Sequence, residues 1–328
     1  MKDTLKALLG AYGATGREET VAAVIREMIA PYVDETRIDA LGNLIAVRKG
    51  AGKRIMFAAH MDHIGFVVTD ITDMGFLRVF NVGGINWLNS LNRHVVFENG
   101  TSGILSVETE NFKDHMNDPN AMFIDIGAAD KAEAEAMIQP GDVAVYAPDF
   151  FDLGTDMIAG PAMDNRVGCY LLIEMLKSLT ERTNEIVAVF TTQEEVGLRG
   201  AKAAAYDIDP DIGIALDVTL SGDTPKGAKV SMKAGKGPCV KIMDRSLVCS
   251  PVVVRMMEDA ADRAGVEYQR EVLTAGGTDA GAIQLTRGGV AAGVLSIACR
   301  YVHSACEAVS MRDIEGGVKL LVNLAEHA

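Results

Sequence analysis

The stretch that most constrains the fold covers residues 184–200. It opens on Ile186, Val187, Ala188, Val189 and Phe190, a short β-rich apolar run that predicts a buried strand. It then stops at two adjacent carboxylates, Glu194 and Glu195, followed by Gly197 and Gly200. Adjacent anions at the end of a buried strand repel each other and are costly to remove from water. A lone Glu-Glu pair would read as a solvated strand end. Three other apolar runs end in the same manner, and the repetition calls for a positive counter-charge.

The run at 54–59 stops at His60, Met61, Asp62 and His63. The run at 212–216 stops at Asp217, and the run at 293–298 is followed by Tyr301, Val302 and His303. Asp164 enters from the turn before a helix expected over 167–179. In open α/β sheets, ligands bind outside the carboxyl ends of the strands, so residues far apart in sequence meet there. Taken singly, each has a plain structural explanation, such as an N-cap for Asp164. Such explanations would have to hold five times over.

The rest of the chain supports an α/β layer with an insertion. Helices are expected over about 4–12 and 16–31, the second behind a capping box at Thr15 and Glu18. Two strands fill residues 33–48 around Leu41, Gly42 and Asn43. From about 65 to 157 the texture changes to six short β-type runs punctuated by Gly, Asn and Asp, with one helical segment at 131–137; this predicts a small barrel or sandwich. After it, strands alternate with helices again: a strand at 238–243, a helix at 251–264, a strand at 268–273, a glycine-rich turn around Asp279, and a closing helix to about 326 capped at Ser310. The expected architecture is therefore an α/β sheet sandwiched by helices. Residues 1–65 and 158–328 form one discontinuous domain, and 66–157 an inserted β domain.

Composition removes several function classes. The 31 basic and 45 acidic residues give a net charge of −14, which disfavours nucleic acid and anionic membranes as partners. The five cysteines are scattered and make no C-x-x-C pair, so they read as reduced thiols of a cytoplasmic protein. The N-terminus lacks the apolar stretch of a signal peptide, and no run approaches the length of a membrane span.

Two histidines with three or four carboxylates form a mixed N/O donor set, suited to zinc, cobalt or manganese. There are too many donors for one tetrahedral ion. Two ions about 3.5–4 Å apart, bridged by a carboxylate, would use them all and activate a water. Asp62, two residues beyond His60, is placed to hold the imidazole tautomer. Of the Glu194 and Glu195 pair, one can bind metal while the other relays the water proton.

The chain resembles the family of tetrahedral aminopeptidases and glutamyl aminopeptidases, which also includes proteins called endoglucanase M. The resemblance spans nearly the whole chain. It rests on Ala59 to Asp62, Ala162 to Gly168, Thr192 to Gly200, Asp217 to Thr219, Gly276 to Ala280 and Tyr301 to Ser304, with Asp125 to Gly127 and Lys236 to Pro238 in addition. It implies a zinc-peptidase-like catalytic domain in which Asp164 bridges two divalent ions. His60, Glu195, Asp217 and His303 complete the ligands, and Glu194 is the general base. It also implies removal of N-terminal residues from peptides with a free N-terminus, and a homo-oligomer, a dodecamer built from dimers, with the insert contributing to assembly.

Two departures stand out. His63 replaces a Glu of the family pattern; it reads as a tolerated neighbour, or else as a residue that reshapes the mouth of the site or adds a weak ligand. Ala305 and Cys306 replace Pro-Val after the His-Ser pair, placing a thiol open to oxidation near the metal ligands. Arg245 would select acidic side chains if it faced the pocket, and serves a surface ion pair otherwise. Two other functions share the same residues: a deacylase or endo-acting hydrolase, and a non-catalytic member that binds peptide or metal. Glycan cleavage is disfavoured, because it needs two carboxylates flanking a sugar and not a ligand set. An intact Glu194 argues against the non-catalytic member.

Overall fold

The computed structural model describes residues 2–85, 89–108 and 121–328. In chain order its strands are β1 (Glu35–Ile38), β2 (Leu44–Arg48), β3 (Arg54–His60), β4 (Gly65–Ile71), β5 (Leu77–Val82), β6 (Arg93–Phe97), β7 (Ser102–Val107), β8 (Met122–Asp125), β9 (Val143–Tyr146), β10 (Phe151–Leu153), β11 (Met157–Gly160), β12 (Glu185–Thr191), β13 (Ile212–Leu220), β14 (Cys239–Met243), β15 (Gln269–Val272), β16 (Ala291–Arg300) and β17 (Glu307–Ser310). The helices are α1 (Lys2–Gly10), α2 (Glu19–Ile29), α3 (Lys131–Met137), α4 (Met163–Ser178), α5 (Arg199–Ile208), α6 (Pro251–Ala264), α7 (Asp279–Gln284) and α8 (Met311–His327).

The large sheet runs β1-β2-β12-β3-β13-β16-β17-β11-β10, with β14 and β15 added beside β16. Its centre, β12-β3-β13-β16, is parallel. The middles of these strands are largely apolar because both faces are covered. Phe57, Ala59, Ile186, Ala188 and Phe190 pack against α1, α2 and α4, while Met56, Ala58, Val187 and Val189 meet Ala201, Ala204 and Ala205 of α5 on the other side. The alternation follows the two-residue period of a strand.

The connection from β3 to β12 therefore passes through α4 on one face, and that from β12 to β13 through α5 on the other. Such divergence opens a crevice at the carboxyl edge. Pairing sharpens it: Thr191 lies beside His60, so β12 and β3 end together, whereas β13 pairs with β3 only through Ala215. Asp217 does not end its strand, as the sequence pattern suggests. The strand runs on to Leu220 because β16 continues to pair with it after β3 has turned away.

The insert contains a closed six-stranded barrel, β4-β5-β8-β7-β6-β9. Its interior is Phe66, Leu77, Val95, Leu105 and Ile124, with Phe66 meeting Tyr146 edge-on at 5.4 Å between ring centroids. Strands β10 and β11 return the chain to the large sheet, where β11 pairs with β17.

The capping box expected at Thr15 and Glu18 is not formed. Helix α2 starts only at Glu19, and Glu18 makes no side-chain cap. Thr15 instead donates to Asp62, and Glu18 accepts from the amides of Gly16 and Gln193. Contacts with the carboxyl edge of the sheet outcompete the local motif. Among the described residues, no helix is long and apolar enough to cross a membrane.

Candidate metal centre and active site

The ligand candidates converge where β3 and β12 end, beside the stretch of β13 that runs on past them. His60 is buried as the last residue of β3, and its Nδ1 lies 3.0 Å from the main-chain carbonyl of Asp62. A carbonyl can only accept, so Nδ1 carries the proton and Nε2 is left as the ligand atom. The tautomer is thus set chiefly by Asp62's backbone, since its carboxylate is farther away at 3.5 Å.

That carboxylate has another task. Asp62 Oδ1 accepts from the Glu194 amide at 3.0 Å. Its Oδ2 accepts from the Glu195 amide at 3.3 Å and from the Thr15 hydroxyl at 2.8 Å. It thereby fixes the backbone that presents both glutamates. The neighbouring His60 first, and then the bonds from Glu194 and Thr15, outweigh the cost of burial and hold its carboxyl below the usual range.

Asp164 sits at the start of α4, in a stretch of non-helical backbone that includes Asn165. Asn165 donates to the carbonyl of Leu216, next to Asp217, and accepts from the amide of Gly168. A side chain at Gly168 would strike both Asn165 and Leu216, which accounts for the glycine there. Asp164 Oδ1 lies 3.1 Å from His60 Nε2, and its Oδ2 lies 3.3 Å from His303 Nε2. His60 Nε2 is also 3.7 Å from Asp217, and His303 Nε2 is 3.3 Å from Glu195. Two groups result whose ligand atoms lie close enough to share an ion: His60, Asp164 and Asp217, and Asp164, Glu195 and His303. Asp164 belongs to both, one oxygen turned to each.

The electrostatics fit a cation. Burial alone would lower the pKa of His60, but Glu194, Asp164, Asp217 and Asp62 outweigh it and hold it well above the usual imidazole range. His303 is likewise pushed up to about 12, against its burial, by Asp164 and Glu195. Burial raises Glu195 and Asp217. Glu195 Oε1 is buried with no hydrogen-bond partner, an atom the protein leaves to something outside the chain. Divalent ions satisfy all of these demands, and the donor set fits zinc, cobalt or manganese.

Glu194 belongs to neither group, though its Oε2 lies 3.9 Å from His60 Nε2. Burial, with Asp217, Asp279 and Glu195 nearby, raises its carboxyl well above the ordinary value despite the pull of His60. It lines a cavity of about 480 Å³ together with the ligand candidates. The insert reaches the same place. A Cβ at Gly84 would lie 3.1 Å from His303 Nδ1, and one at Gly83 would lie 3.2 Å from Glu195 Oε2. A side chain at either glycine would crowd these two ligands.

All seven residues singled out by sequence pattern therefore meet in one place. His63 does not join them. It points into a separate cavity of about 220 Å³ beside Tyr12 and Tyr146, with Nδ1 bonded to the carbonyl of Ile64, so it neither shapes the mouth nor offers a ligand. Arg245 is exposed and lies outside the cavity lining.

Two buried acids escaped the sequence reading. Glu307 begins the short strand β17; its Oε2 accepts from the Asp164 amide at 2.9 Å and its Oε1 from the His303 amide at 2.6 Å. Asp279 accepts from Thr191 at 2.5 Å while its Oδ1 is buried without a partner, and burial raises its carboxyl to about 7. Asp279 stands in a motif already noted for its glycines, which was the available signal. Glu307 gave none, because its partners are main-chain amides of two distant loops.

Known proteins resemble this chain over nearly its whole length. The profile of the M42 glutamyl aminopeptidase family matches residues 42–320. A protein of Acetivibrio thermocellus is 49% identical over 98% of this chain and 97% of its own length. The lysyl aminopeptidase of Pyrococcus furiosus is 34% identical over 99% of this chain and 96% of its own. Among solved structures, an aminopeptidase from Desulfurococcus kamchatkensis superposes with a TM-score of 0.96 at 36% identity, covering 99% of this chain and 94% of that one. The TET1 peptidase of Pyrococcus horikoshii, which assembles into a tetrahedron or a large octahedral shell, gives 0.89 at 34% identity over 100% of this chain and 99% of that one. The chain belongs to the M42 glutamyl aminopeptidase family, and is a metal-dependent peptidase that acts at peptide N-termini.

Proposed function

We propose that this aminopeptidase works with two divalent ions, one against His60, Asp164 and Asp217 and the other against Asp164, Glu195 and His303. The observation that supports this most is the division of Asp164, with Oδ1 at 3.1 Å from His60 and Oδ2 at 3.3 Å from His303. Zinc is the first choice, with cobalt or manganese as alternatives. When bound, such a pair polarises a peptide carbonyl and makes water a nucleophile near neutral pH.

The protein's own groups do the rest. Glu194, raised in basicity by burial and bound up in neither ligand group, takes the proton from the attacking water and returns it to the leaving amine. Asp62 keeps Glu194 and Glu195 in register through their amides. The carboxylates around the cavity favour the α-ammonium of a free N-terminus. The inserted domain, drawn at 66–157, narrows the entrance through Gly83 and Gly84 and contributes to assembly. For this chain we place the peptidase in the cytoplasm, as a dodecamer built from dimers.

The test compares a tetrapeptide with its N-acetylated twin, using protein reloaded with zinc, cobalt or manganese. Release of the first residue from the free peptide only is expected. Equal cleavage of both would replace this function with a deacylase or endo-acting hydrolase.

A further inference from the structure

The cavity beside the metal ligands has a second half, and its chemistry differs from the first. Asp217 is followed along β13 by Val218, Thr219 and Leu220, and all three line the cavity. Leu273 and Val302 face it as well, Val302 standing next to the ligand candidate His303. The remaining wall is Leu198 and the small residues Gly84, Ala275, Gly276 and Gly277. Among the described residues, every charged group in the lining belongs to the metal site or is Glu194.

The cations nearby are already engaged. Lys241 is buried and held by Asp244 at 3.0 Å and Glu271 at 3.1 Å. Glu271 also accepts from the hydroxyl of Thr219 at 2.8 Å, so the one polar side chain of this wall spends its proton inward. Arg300 is bound through two nitrogens to Asp223, at 2.7 and 2.9 Å. Arg245 is exposed and outside the lining. A glutamate side chain placed here would meet no free cation of the chain, and a lysine would meet only carboxylates already committed to the ions, to the α-ammonium or to proton transfer, which is the costly way to bury a charge.

We infer that the wall of Val218, Leu220, Leu273 and Val302 receives the side chain of the substrate's first residue and selects neutral, apolar residues of the leucine and methionine class. The inference rests on the aminopeptidase function proposed above. An α-ammonium drawn to the site's carboxylates sits one bond from the Cα that bears the first side chain. That side chain must therefore lie within a few bond lengths of Asp217 and His303, where these apolar residues begin. The preference departs from the charged first residues in the names of the lysyl and glutamyl relatives.

The experiment measures kcat/KM for a series X-Ala-Ala-Ala with free N-termini and metal-reloaded protein, X being Leu, Met, Lys or Glu. Leu and Met should exceed Lys and Glu by about 100-fold, the scale set by an unpaired buried charge. In Leu220→Arg, half-buried at the end of β13, the Glu peptide should gain at least about 10-fold relative to the Leu peptide. A wild-type preference for Lys or Glu, or indifference to X, overturns the inference while leaving an aminopeptidase. Release from none of the four peptides overturns the function on which it rests. The wild-type series decides the matter even if the variant does not fold.

Discussion

Glu307 holds the main-chain amide of Asp164 with one carboxylate oxygen and that of His303 with the other. These two ligand candidates are 139 residues apart in the chain, from 303 − 164, and one buried side chain sets the distance between their backbones. Glutamine at this position can accept only through its carbonyl oxygen, and its NH2 group would face a second donor. Glu307→Gln should therefore weaken divalent-ion binding by about 10–100-fold, the usual cost of losing an outer partner of a metal ligand. Calorimetric titration of zinc into stripped protein reads this directly. Unchanged affinity would show that the two loops hold each other without Glu307.

Glu194→Gln tests proton transfer separately from metal binding. The change removes the base but keeps the shape, and Glu194 lies outside both ligand groups. A fall in kcat of about 10²–10⁴ is expected. Metal content, measured on the same samples by elemental analysis, should stay at the wild-type ratio. Wild-type turnover by the variant would rule out Glu194 as the base.

His63 gives a pH signature of its own. Burial, aided by the positive charge of Arg166, lowers its pKa from 6.5 to about 3. The unfolded chain takes up this proton below about pH 6.5, while the folded protein resists it until about pH 3. Stability on this account is intact above pH 6.5 and falls as the pH drops toward 3, by up to about 1.4 kcal/mol per pH unit. Urea denaturation from pH 7 to 5 should show a shallower loss in His63→Gln than in wild type. Parallel curves would mean that the imidazole is not resisting protonation.

Chelation should destabilise the protein, and more so at higher pH. In stripped protein the buried carboxyls of Glu195 and Asp217 have raised pKa values, and His303 is pushed up to about 12. Each group then holds its proton more tightly when folded than when unfolded. The stabilising proton is present at low pH and is lost as the pH rises through the folded value. The drop in melting temperature caused by EDTA should be larger at pH 8 than at pH 5.5, and zinc should reverse it. A drop independent of pH would contradict this account.

The sequence reveals much of the site because its ligands punctuate apolar strands. His60, Asp217 and the Glu194 and Glu195 pair each interrupt a run whose burial is otherwise plain, and parallel strands must deliver such residues to one edge. Short or locally ambiguous pieces are harder to read. Strand β17 has four residues, and one of them is the charged Glu307. Helix α5 carries Ala201, Ala204, Ala205 and Ile208 at helical spacing, yet the glycine-bearing turn before it hides its start. Thr15 and Glu18 mislead for the opposite reason, since their spacing satisfies a local rule while their side chains serve Asp62 and Gln193. Groups whose partners are distant main-chain amides leave no pattern along the chain.

The barrel is closed, and closure limits how this protein can join its own copies. A barrel whose every strand has two neighbours offers no free row of amides and carbonyls to a second chain. Contacts made through its wall must be written in side chains and loops, not in shared strands. Such contacts can be altered by surface substitution without unzipping a ladder. Such substitutions leave the register of the catalytic sheet untouched.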